Sequence, residues 1–232
     1  MKYSNVIKGI FIERPNRFIA KVEIDGQIVI VHVKNTGRCR ELLIPGCTVY
    51  LEKSTNPNRK TPYDLIAVVK QENNLLINMD SNAPNSAAYE WIENMINTSG
   101  DKALEYTLKR EVVYGDSRLD LCIEGKTESV FIEVKGVTLE KNGIALFPDA
   151  PTQRGVKHIK ELEKCVRDGH RAYLLFVIQM KGPRIFKPNT DMHEEFACAL
   201  CEAKKAGVEI IAMDCKVTPN QMTIDESIEV VV

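Results

Sequence analysis

Two neighbouring strand-like segments in the second half of the chain carry ionisable side chains among apolar ones. Asp120 lies in the segment 118–124, and Glu133 and Lys135 lie in the segment 129–137. Successive side chains of a strand point to opposite faces, so Glu133 and Lys135 share one face. If the two segments pair as a hairpin, Asp120 can converge with Glu133.

Two carboxylates and a lysine in this arrangement suit metal-assisted cleavage of a phosphodiester. Carboxylate oxygens are hard ligands that bind Mg²⁺ or Mn²⁺, and such an ion polarises a phosphate and helps to ionise a water. We predict that Asp120 and Glu133, with the carbonyl of Val134, hold the ion and that Lys135 positions the attacking water. The alternative is an ion pair on a half-exposed strand, because the spacing D-x(12)-E-x-K alone has many chance matches.

A basic amphipathic helix is predicted directly after these segments, over residues 152–168. Its apolar stripe has helical spacing and consists of Val156, Ile159, Leu162 and Val166. Arg154 and His158 are four residues apart and therefore lie together on another face, with Lys157 nearby. We predict that these three residues contact nucleic-acid phosphates. Arg154 lies in the first turn, where the helix dipole disfavours a cation unless an anion is close.

Length and composition define the class of protein that must position these residues. The chain has 232 residues, of which 44% are hydrophobic and 27% charged, with a net charge of -1. This balance indicates a globular protein with one large domain or two small ones, and it excludes disordered and coiled-coil classes. The apolar runs are much shorter than the roughly 20 residues of a membrane-spanning helix. Seven cysteines without framework spacing favour a reduced, cytoplasmic protein.

The pattern of elements changes near residue 80. The first part has strand-like runs at 18–24 and 27–33, joined by Asp25-Gly26, which is a strong hairpin signal, and further runs at 47–51 and 64–69. Helices and strands alternate in the second part: helices at 84–97, 152–168 and 191–206, and strands at 108–114, 118–124, 129–137, 171–178 and 208–213. We therefore expect a small β-barrel or sandwich over residues 1–80 and an α/β domain with a mixed sheet over residues 81–232.

The near-neutral total charge is a sum of patches of opposite sign. Residues 1–80 contain 12 Lys and Arg against 8 Asp and Glu, and residues 133–190 contain 11 against 6. Arg38, Arg59 and Lys60 lie in or beside predicted loops of the first part, and we predict that they contact nucleic acid. The total excludes a uniformly basic DNA-coating protein and is compatible with a local basic groove.

Two further motifs have less specific interpretations. Cys198 and Cys201 have metal-like spacing, with His193 nearby, but they lie in a helical pattern without a second cysteine pair. We therefore expect Cys198 to pack into the core. The motif Asn35-Thr36-Gly37 fits a turn as well as a ligand contact, since asparagine and glycine adopt positive φ readily.

Taken together, the motifs identify a family. They are Asn35-Thr36-Gly37, Glu41-Leu42, Pro45-Gly46, Asn78, Pro84-Asn85, Gly115, Arg118-Leu119-Asp120, Ile132-Glu133-Val134-Lys135, Val137-Thr138-Leu139, Phe147-Pro148-Asp149-Ala150, Thr152, Arg154-Gly155, Lys157-His158 and Glu161-Leu162. With these motifs the sequence resembles the sugar fermentation stimulation protein family, SfsA, over essentially its whole length.

The resemblance implies an N-terminal OB-fold and a C-terminal domain of the PD-(D/E)XK nuclease type. Asp120, Glu133 and Lys135 match the nuclease core, and Glu90 matches an additional helix carboxylate that would serve as a third metal ligand. Leu119 stands where the motif name has proline, and the Pro148-Asp149 pair belongs to a separate loop.

The predicted function is nonspecific binding of DNA, with RNA as the other candidate, combined with Mg²⁺- or Mn²⁺-dependent phosphodiester hydrolysis. The alternative is a non-catalytic DNA-binding regulatory protein linked to sugar (maltose) metabolism. That link comes from the family description alone.

Overall fold

The computed structural model describes residues 1–35, 37–100, 106–126 and 128–232. The chain forms two compact units, and neither is a single continuous segment. The first unit comprises Met1–Ala83, Gln179–Lys181 and Cys215–Thr223, and the second comprises Pro84–Ile178, Gly182–Asp214 and Ile224–Val232. The sequence pattern changes close to the first of these boundaries, but it contains no sign of the two later segments of the first unit.

The first unit contains a closed barrel. Its described strands are β1 (Val6–Asn16), β2 (Ile19–Ile24), β3 (Gln27–Val33), β4 (Thr48–Lys53), β5 (Tyr63–Lys70) and β6 (Leu75–Asn78). The sheet order is β3-β2-β1-β4-β5-β6, and a parallel pairing of β3 with β5 closes the first five strands on themselves. This connectivity is that of an OB-fold, as expected.

The hairpin between β2 and β3 forms as the sequence predicts. Asp25 and Gly26 have φ angles of 49° and 78°, and Ile24 pairs with Gln27. Both central residues of the turn thus have positive φ, the geometry that matches the twist of the flanking strands. Alternate residues such as Ala20 and Val22 fill the interior of the barrel and are fully buried.

Gln179 is part of the first unit although it lies about a hundred residues beyond the barrel strands in sequence. Its side-chain amide donates to the backbone oxygens of Asn78 and Asp80, at 3.0 and 3.2 Å. In the same unit, the terminal amino group of Met1 donates to the carbonyl of Met222 at 2.8 Å. The contacts of the first unit therefore depend on residues from three regions of the chain.

The remaining elements build a mixed sheet flanked by helices. They are α1 (Ala83–Thr98), β7 (Thr107–Tyr114), β8 (Ser117–Glu124), β9 (Ser129–Val137), β10 (Leu139–Lys141), β11 (Ile144–Phe147), α2 (Gln153–Arg167), β12 (Arg171–Ile178), β13 (Ile185–Pro188), α3 (Glu194–Ala206), β14 (Glu209–Thr218) and β15 (Gln221–Val230). The strand order is β10-β11-β13-β15-β14-β12-β9-β8-β7. The fold class predicted from the sequence, OB-like barrel plus mixed α/β sheet, is confirmed.

Strand β9 lies in the interior of this sheet. It pairs antiparallel with β8, where Ile132 faces Leu121, and parallel with β12, where Glu133 faces Leu174. Its residues from Phe131 to Val134 are all buried. Glu133 is therefore in the interior of the protein, so its ion pair with Lys135 lies on a buried strand and not on a half-exposed one.

Helix α2 approaches its neighbours closely at its first turn. The Thr152 hydroxyl accepts a hydrogen bond of 3.0 Å from the Gly155 backbone N–H and so caps the helix. A Cβ atom on Gly155 would lie 2.8 Å from the Thr152 Oγ1 and 3.2 Å from the Phe196 ring on α3. Only glycine allows the cap and the contact with α3 to coexist.

The structure differs from the predicted elements at their ends and in several additional strands, both short and long. Helix α3 begins at Glu194 rather than 191, since Met192 and His193 donate backbone hydrogen bonds to the Asn189 carbonyl in a preceding turn. The strand predicted over 208–213 continues to Thr218. Strands β1, β6, β10, β11, β13 and β15 do not coincide with any predicted run. No described helix is long and apolar enough to cross a membrane.

Candidate active site

Asp120 directly precedes Leu121, the first residue of β8 that pairs with β9 through the backbone. Its Oδ2 accepts a hydrogen bond of 2.8 Å from the Val134 backbone N–H, so that the carboxylate takes the place of a strand carbonyl. Its Oδ1 accepts a hydrogen bond of 2.9 Å from the Asn85 side chain on α1. Burial and the nearby charge of Glu133 raise the pKa of Asp120. Strand β9 and helix α1 thus both hold the Asp120 carboxylate in place through hydrogen bonds.

The two carboxylate oxygens of Glu133 have very different surroundings. Oε1 accepts hydrogen bonds from both the Lys135 ammonium and the His158 Nδ1. Oε2 is buried and has no hydrogen-bond partner among the described residues. Burial alone would raise the pKa of Glu133, but the His158 hydrogen bond and the Lys135 charge outweigh it and lower the pKa. Glu133 is therefore held as an anion with one oxygen unused.

His158 connects Glu133 to the surface through Arg154. The Arg154 Nε donates to the His158 Nε2 at 3.3 Å. Because an arginine nitrogen can only donate, the His158 Nε2 must accept, and the ring proton belongs on Nδ1. The His158 Nδ1 then donates to the Glu133 Oε1. The residue is only 6% exposed, so its side chain contacts a carboxylate rather than an external phosphate.

The other predicted residues of α2 are at the surface. Arg154 and Lys157 are both exposed. The Lys157 ammonium donates to the Asp116 carbonyl at 3.0 Å. Of the three α2 residues predicted to contact nucleic acid, the structure leaves two accessible and buries the third.

Glu90 is not brought together with the other predicted metal ligands. It is exposed on α1, and among the described residues it forms no three-residue ligand cluster with Asp120 and Glu133. The residue of α1 that does reach the site is Asn85, which lies five positions earlier and hence about 140° away around the helix. In the sequence, the Pro84-Asn85 motif is the feature that points to Asn85 as a residue of the site.

The predicted nucleic-acid contacts of the first unit have different environments. The Arg59 guanidinium makes two hydrogen bonds of 2.7 Å to Asp64, which also contacts the His32 Nδ1 at 2.8 Å. Arg38 and Lys60 are exposed. Arg59 is therefore neutralised by a buried carboxylate, whereas the other two remain accessible.

The Asn35 side chain is used within the protein. Its Oδ1 accepts from the Gly37 backbone N–H at 2.7 Å, and its Nδ2 donates to the Met79 carbonyl at 3.0 Å. These bonds favour the turn interpretation of the motif. Thr36 itself lies outside the described residues.

The cysteine motif on α3 shows no sign of a metal site. Cys198 is exposed, contrary to the expectation that it packs into the core, and Cys201 is partly exposed. Neither forms a cluster with His193 in the described part of the chain.

An OB-type barrel, followed by a mixed sheet flanked by helices, defines a two-unit α+β class of protein. Family models identify the chain more closely. The model described as the SfsA N-terminal OB domain matches residues 12–79, and the model described as the sugar fermentation stimulation protein RE domain matches residues 82–221. The chain belongs to the SfsA family, which confirms the resemblance found in the sequence.

Individual relatives agree with this family. The sugar fermentation stimulation protein homolog of Ruminiclostridium cellulolyticum is 55% identical over 231 residues, which cover 99% of each chain. That of Clostridium beijerinckii is 52% identical over 232 residues and the whole of both chains. A structure described as Pyrococcus furiosus SfsA in complex with Ca²⁺ has a TM-score of 0.86 and 31% identity, covering 100% of this chain and 98% of that one.

Proposed function

We propose that this protein is a divalent-metal-dependent nuclease that binds DNA without sequence preference, with RNA as a second substrate. The observation that carries the proposal is the buried, unpartnered Oε2 of Glu133 beside Asp120. A buried polar atom without a partner destabilises a protein by about 1–3 kcal/mol. A cation at this oxygen would remove that penalty.

The donor set fits a hard divalent cation. Asp120, Glu133 and the Val134 carbonyl offer only oxygen atoms, which are the ligands that Mg²⁺ and Mn²⁺ prefer. The Ca²⁺ named for the Pyrococcus furiosus relative is a cation of the same hard class. When bound, such an ion polarises a phosphate and lowers the pKa of a water.

The remaining side chains have separate roles in this proposal. Lys135 bonds to Glu133 and supplies the positive charge that orients a water and offsets charge developing on the phosphate. His158 fixes the orientation of Glu133 through Oε1 and leaves Oε2 for the ion. Arg154 and Lys157 offer accessible charge for the phosphate backbone of the substrate.

The test is cleavage of single-stranded DNA, duplex DNA and RNA in the presence of Mg²⁺ or Mn²⁺. We expect the wild type to cleave at least one of them and Asp120→Asn and Lys135→Ala to lose at least about a hundredfold in rate. Glu202→Gln removes an exposed carboxylate on α3 and serves as the control, with an unchanged rate expected.

The rival function is nucleic-acid binding without catalysis. It would be supported if the wild type binds every substrate and leaves each intact with both metals. If neither binding nor cleavage occurs, the proposal and its rival both fail.

A further inference from the structure

A basic cavity lies in the first unit at the end of β1. It has a volume of about 300 Å³ and is lined by Arg14, Pro15, Asn16, Arg17, Arg38, Arg40 and Leu43. We propose that this cavity, the arginine pocket, binds a phosphate of single-stranded nucleic acid while Phe18 stacks on an adjacent base. The choice of ligand rests on the proposed function, but the pocket shares no residue with the candidate active site.

Arg14 builds the wall of the pocket rather than binding a ligand. One terminal nitrogen donates to the carbonyls of Gly37 and Arg38 at 2.8 and 2.7 Å. The other donates to the carbonyls of Arg17 and Asn35 at 2.6 and 2.7 Å. Four charge-assisted hydrogen bonds thus tie the turn after β1 to the loop after β3. They fix the backbone from which Arg17 and Arg38 extend.

The other three arginines are accessible and lack carboxylate partners. Arg17, Arg38 and Arg40 are exposed, and in the part of the chain that the structure describes none of them makes an ion pair. Arg59, by contrast, is paired with Asp64. Like charges around one cavity repel one another unless an anion joins them. Guanidinium groups suit a phosphate because they donate two parallel hydrogen bonds to its oxygens.

The exposed ring of Phe18 favours single-stranded over duplex nucleic acid as the ligand of the arginine pocket. Its ring is 52% exposed, next to the pocket residue Arg17, whose guanidinium carbon lies 5.9 Å from the ring centroid. An exposed aromatic ring beside a phosphate site can stack on an unpaired base, whereas the bases of a duplex are already stacked on each other. One ring provides for one base, in keeping with an aromatic content of only 6%.

The experiment measures binding by the full-length protein in EDTA, so that no metal site is needed. Fluorescence anisotropy is recorded with a labelled oligo(dT) of about 12 nucleotides, within the range of OB-fold site sizes, and with a duplex of the same length. For Arg38→Gln/Arg40→Gln we expect at least a tenfold loss of affinity. The slope of log K against log salt should fall by about 0.7 for each lost phosphate contact.

Matched variants separate the pocket from general charge and from folding. Lys8→Gln/Lys53→Gln removes two exposed charges toward the other end of β1, and its affinity should fall less than threefold. Arg38→Lys/Arg40→Lys keeps the charge and should recover part of the loss. Phe18→Leu should weaken single-strand binding by about 5- to 100-fold, corresponding to stacking on one base, and Phe18→Tyr should retain it. Melting temperatures check that each variant is folded.

Three results would overturn the proposal. The first is an affinity of the arginine variant equal to that of the lysine control, and the second is the absence of any binding. The third is an equal effect of Phe18→Leu on duplex and single strand. If binding depends on the arginines and nothing is cleaved, the nuclease proposal fails and the pocket stands. If the substrate is cleaved but binding does not depend on the arginines, the pocket proposal fails and the nuclease proposal stands.

Discussion

At the residue scale, the central feature of the site is the difference in hydrogen bonding between the two carboxylate oxygens of Glu133. Oε1 is saturated by Lys135 and His158, and Oε2 is left without a partner among the described residues. We infer that His158 has a positioning role, because the hydrogen bond from its Nδ1 to Oε1 leaves Oε2 as the free oxygen.

Replacing His158 tests its positioning role. We expect His158→Ala to weaken Mn²⁺ binding by about 10- to 100-fold, which is the range for residues that orient a metal ligand. His158→Asn retains an amide donor close to the position of Nδ1 and should restore most of the affinity. Calorimetric titration of the purified protein with Mn²⁺ measures this without any substrate. Equal affinities of His158→Ala and the wild type would contradict the role.

The choice between Asn85 and Glu90 can be tested directly. Asn85→Ala removes the 2.9 Å hydrogen bond to Asp120, and we expect the cleavage rate to fall by about tenfold or more. Glu90→Gln, on the same helix but exposed, should keep the wild-type rate. A larger loss in Glu90→Gln than in Asn85→Ala would favour the helix carboxylate that the family resemblance implies.

At the scale of elements, the close packing of α2 and the ion pair between Arg59 and Asp64 hold functional side chains in place. Helix α2 brings His158 to the sheet, and its first turn depends on Gly155. In the barrel, Asp64 on β5 joins Arg59 to His32 on β3. Each contact has its own effect on stability.

Gly155→Ala tests the close approach of α2. Alanine normally stabilises a helix by up to about 1 kcal/mol relative to glycine. Here the added Cβ would meet Thr152 and Phe196, and we expect a net loss of about 1–3 kcal/mol, as for other overpacked sites. Urea unfolding measures the change, with Lys160→Ala at an exposed position of α2 as the control. A stabilised Gly155→Ala variant would contradict the packing argument.

The Asp64 ion pair predicts a loss of stability in acid. Burial raises the pKa of Asp64, but the hydrogen bonds from Arg59 and His32 outweigh it and lower the pKa below its ordinary value. A carboxylate with a lowered folded-state pKa stabilises the fold above its unfolded pKa of about 3.9, and the contribution disappears as pH falls through the folded value. Wild type minus Asp64→Asn should therefore give an unfolding free-energy difference that shrinks below about pH 4. A difference constant from pH 6 to 2 would rule this out.

Periodicity predicted the elements that have strong local signals. Strands β3, β9 and β12 have the predicted bounds, because long β-branched or apolar runs leave little choice. Strands β11 and β13 have only four residues each. Strand β11 pairs with its neighbour β10 and, like β13, also with a strand that is distant in sequence. Strand β15 alternates polar with apolar residues except at Glu226, and its place in the sheet depends on β14. Local sequence does not contain that information.

The same limit applies to the candidate site. The shared face of Glu133 and Lys135 follows from a period of two along one strand. The contact of His158 with Glu133 depends on how α2 packs against β9, which spacing within α2 does not specify. The pairing of Arg59 with Asp64 likewise requires the fold of the loop between β4 and β5.

At the scale of the whole molecule, the net charge of -1 conceals local differences. Arg17, Arg38 and Arg40, which make no ion pair with any described residue, lie around a pocket of the first unit. In the second unit, the proposed cation would offset part of the negative charge of Asp120 and Glu133. Affinity for an anionic polymer therefore depends on patches and not on the total.

Divalent cations are expected to stabilise the protein against heat. A ligand at a hundred times its dissociation constant contributes about 2.7 kcal/mol, which corresponds to a rise of about 5–10 °C in the melting temperature for a chain of this size. Ca²⁺ or Mn²⁺ should produce this rise in the wild type and in Glu202→Gln. The double variant Asp120→Asn/Glu133→Gln should show none, and an equal rise in that variant would mean that the cation binds elsewhere.

The hydrogen bonds that Gln179 and Met222 make within the first unit have a consequence during synthesis. The ribosome makes the six sheet strands of the first unit early, yet Gln179, the partner of Asn78 and Asp80, emerges only after about a hundred more residues, and Met222, the partner of Met1, emerges later still. The nascent barrel must therefore persist with these contacts unmade while the second unit is being translated. A stop codon shortly before residue 222 would leave the first unit without its hydrogen bond between Met1 and Met222, although the strands of that unit are translated first.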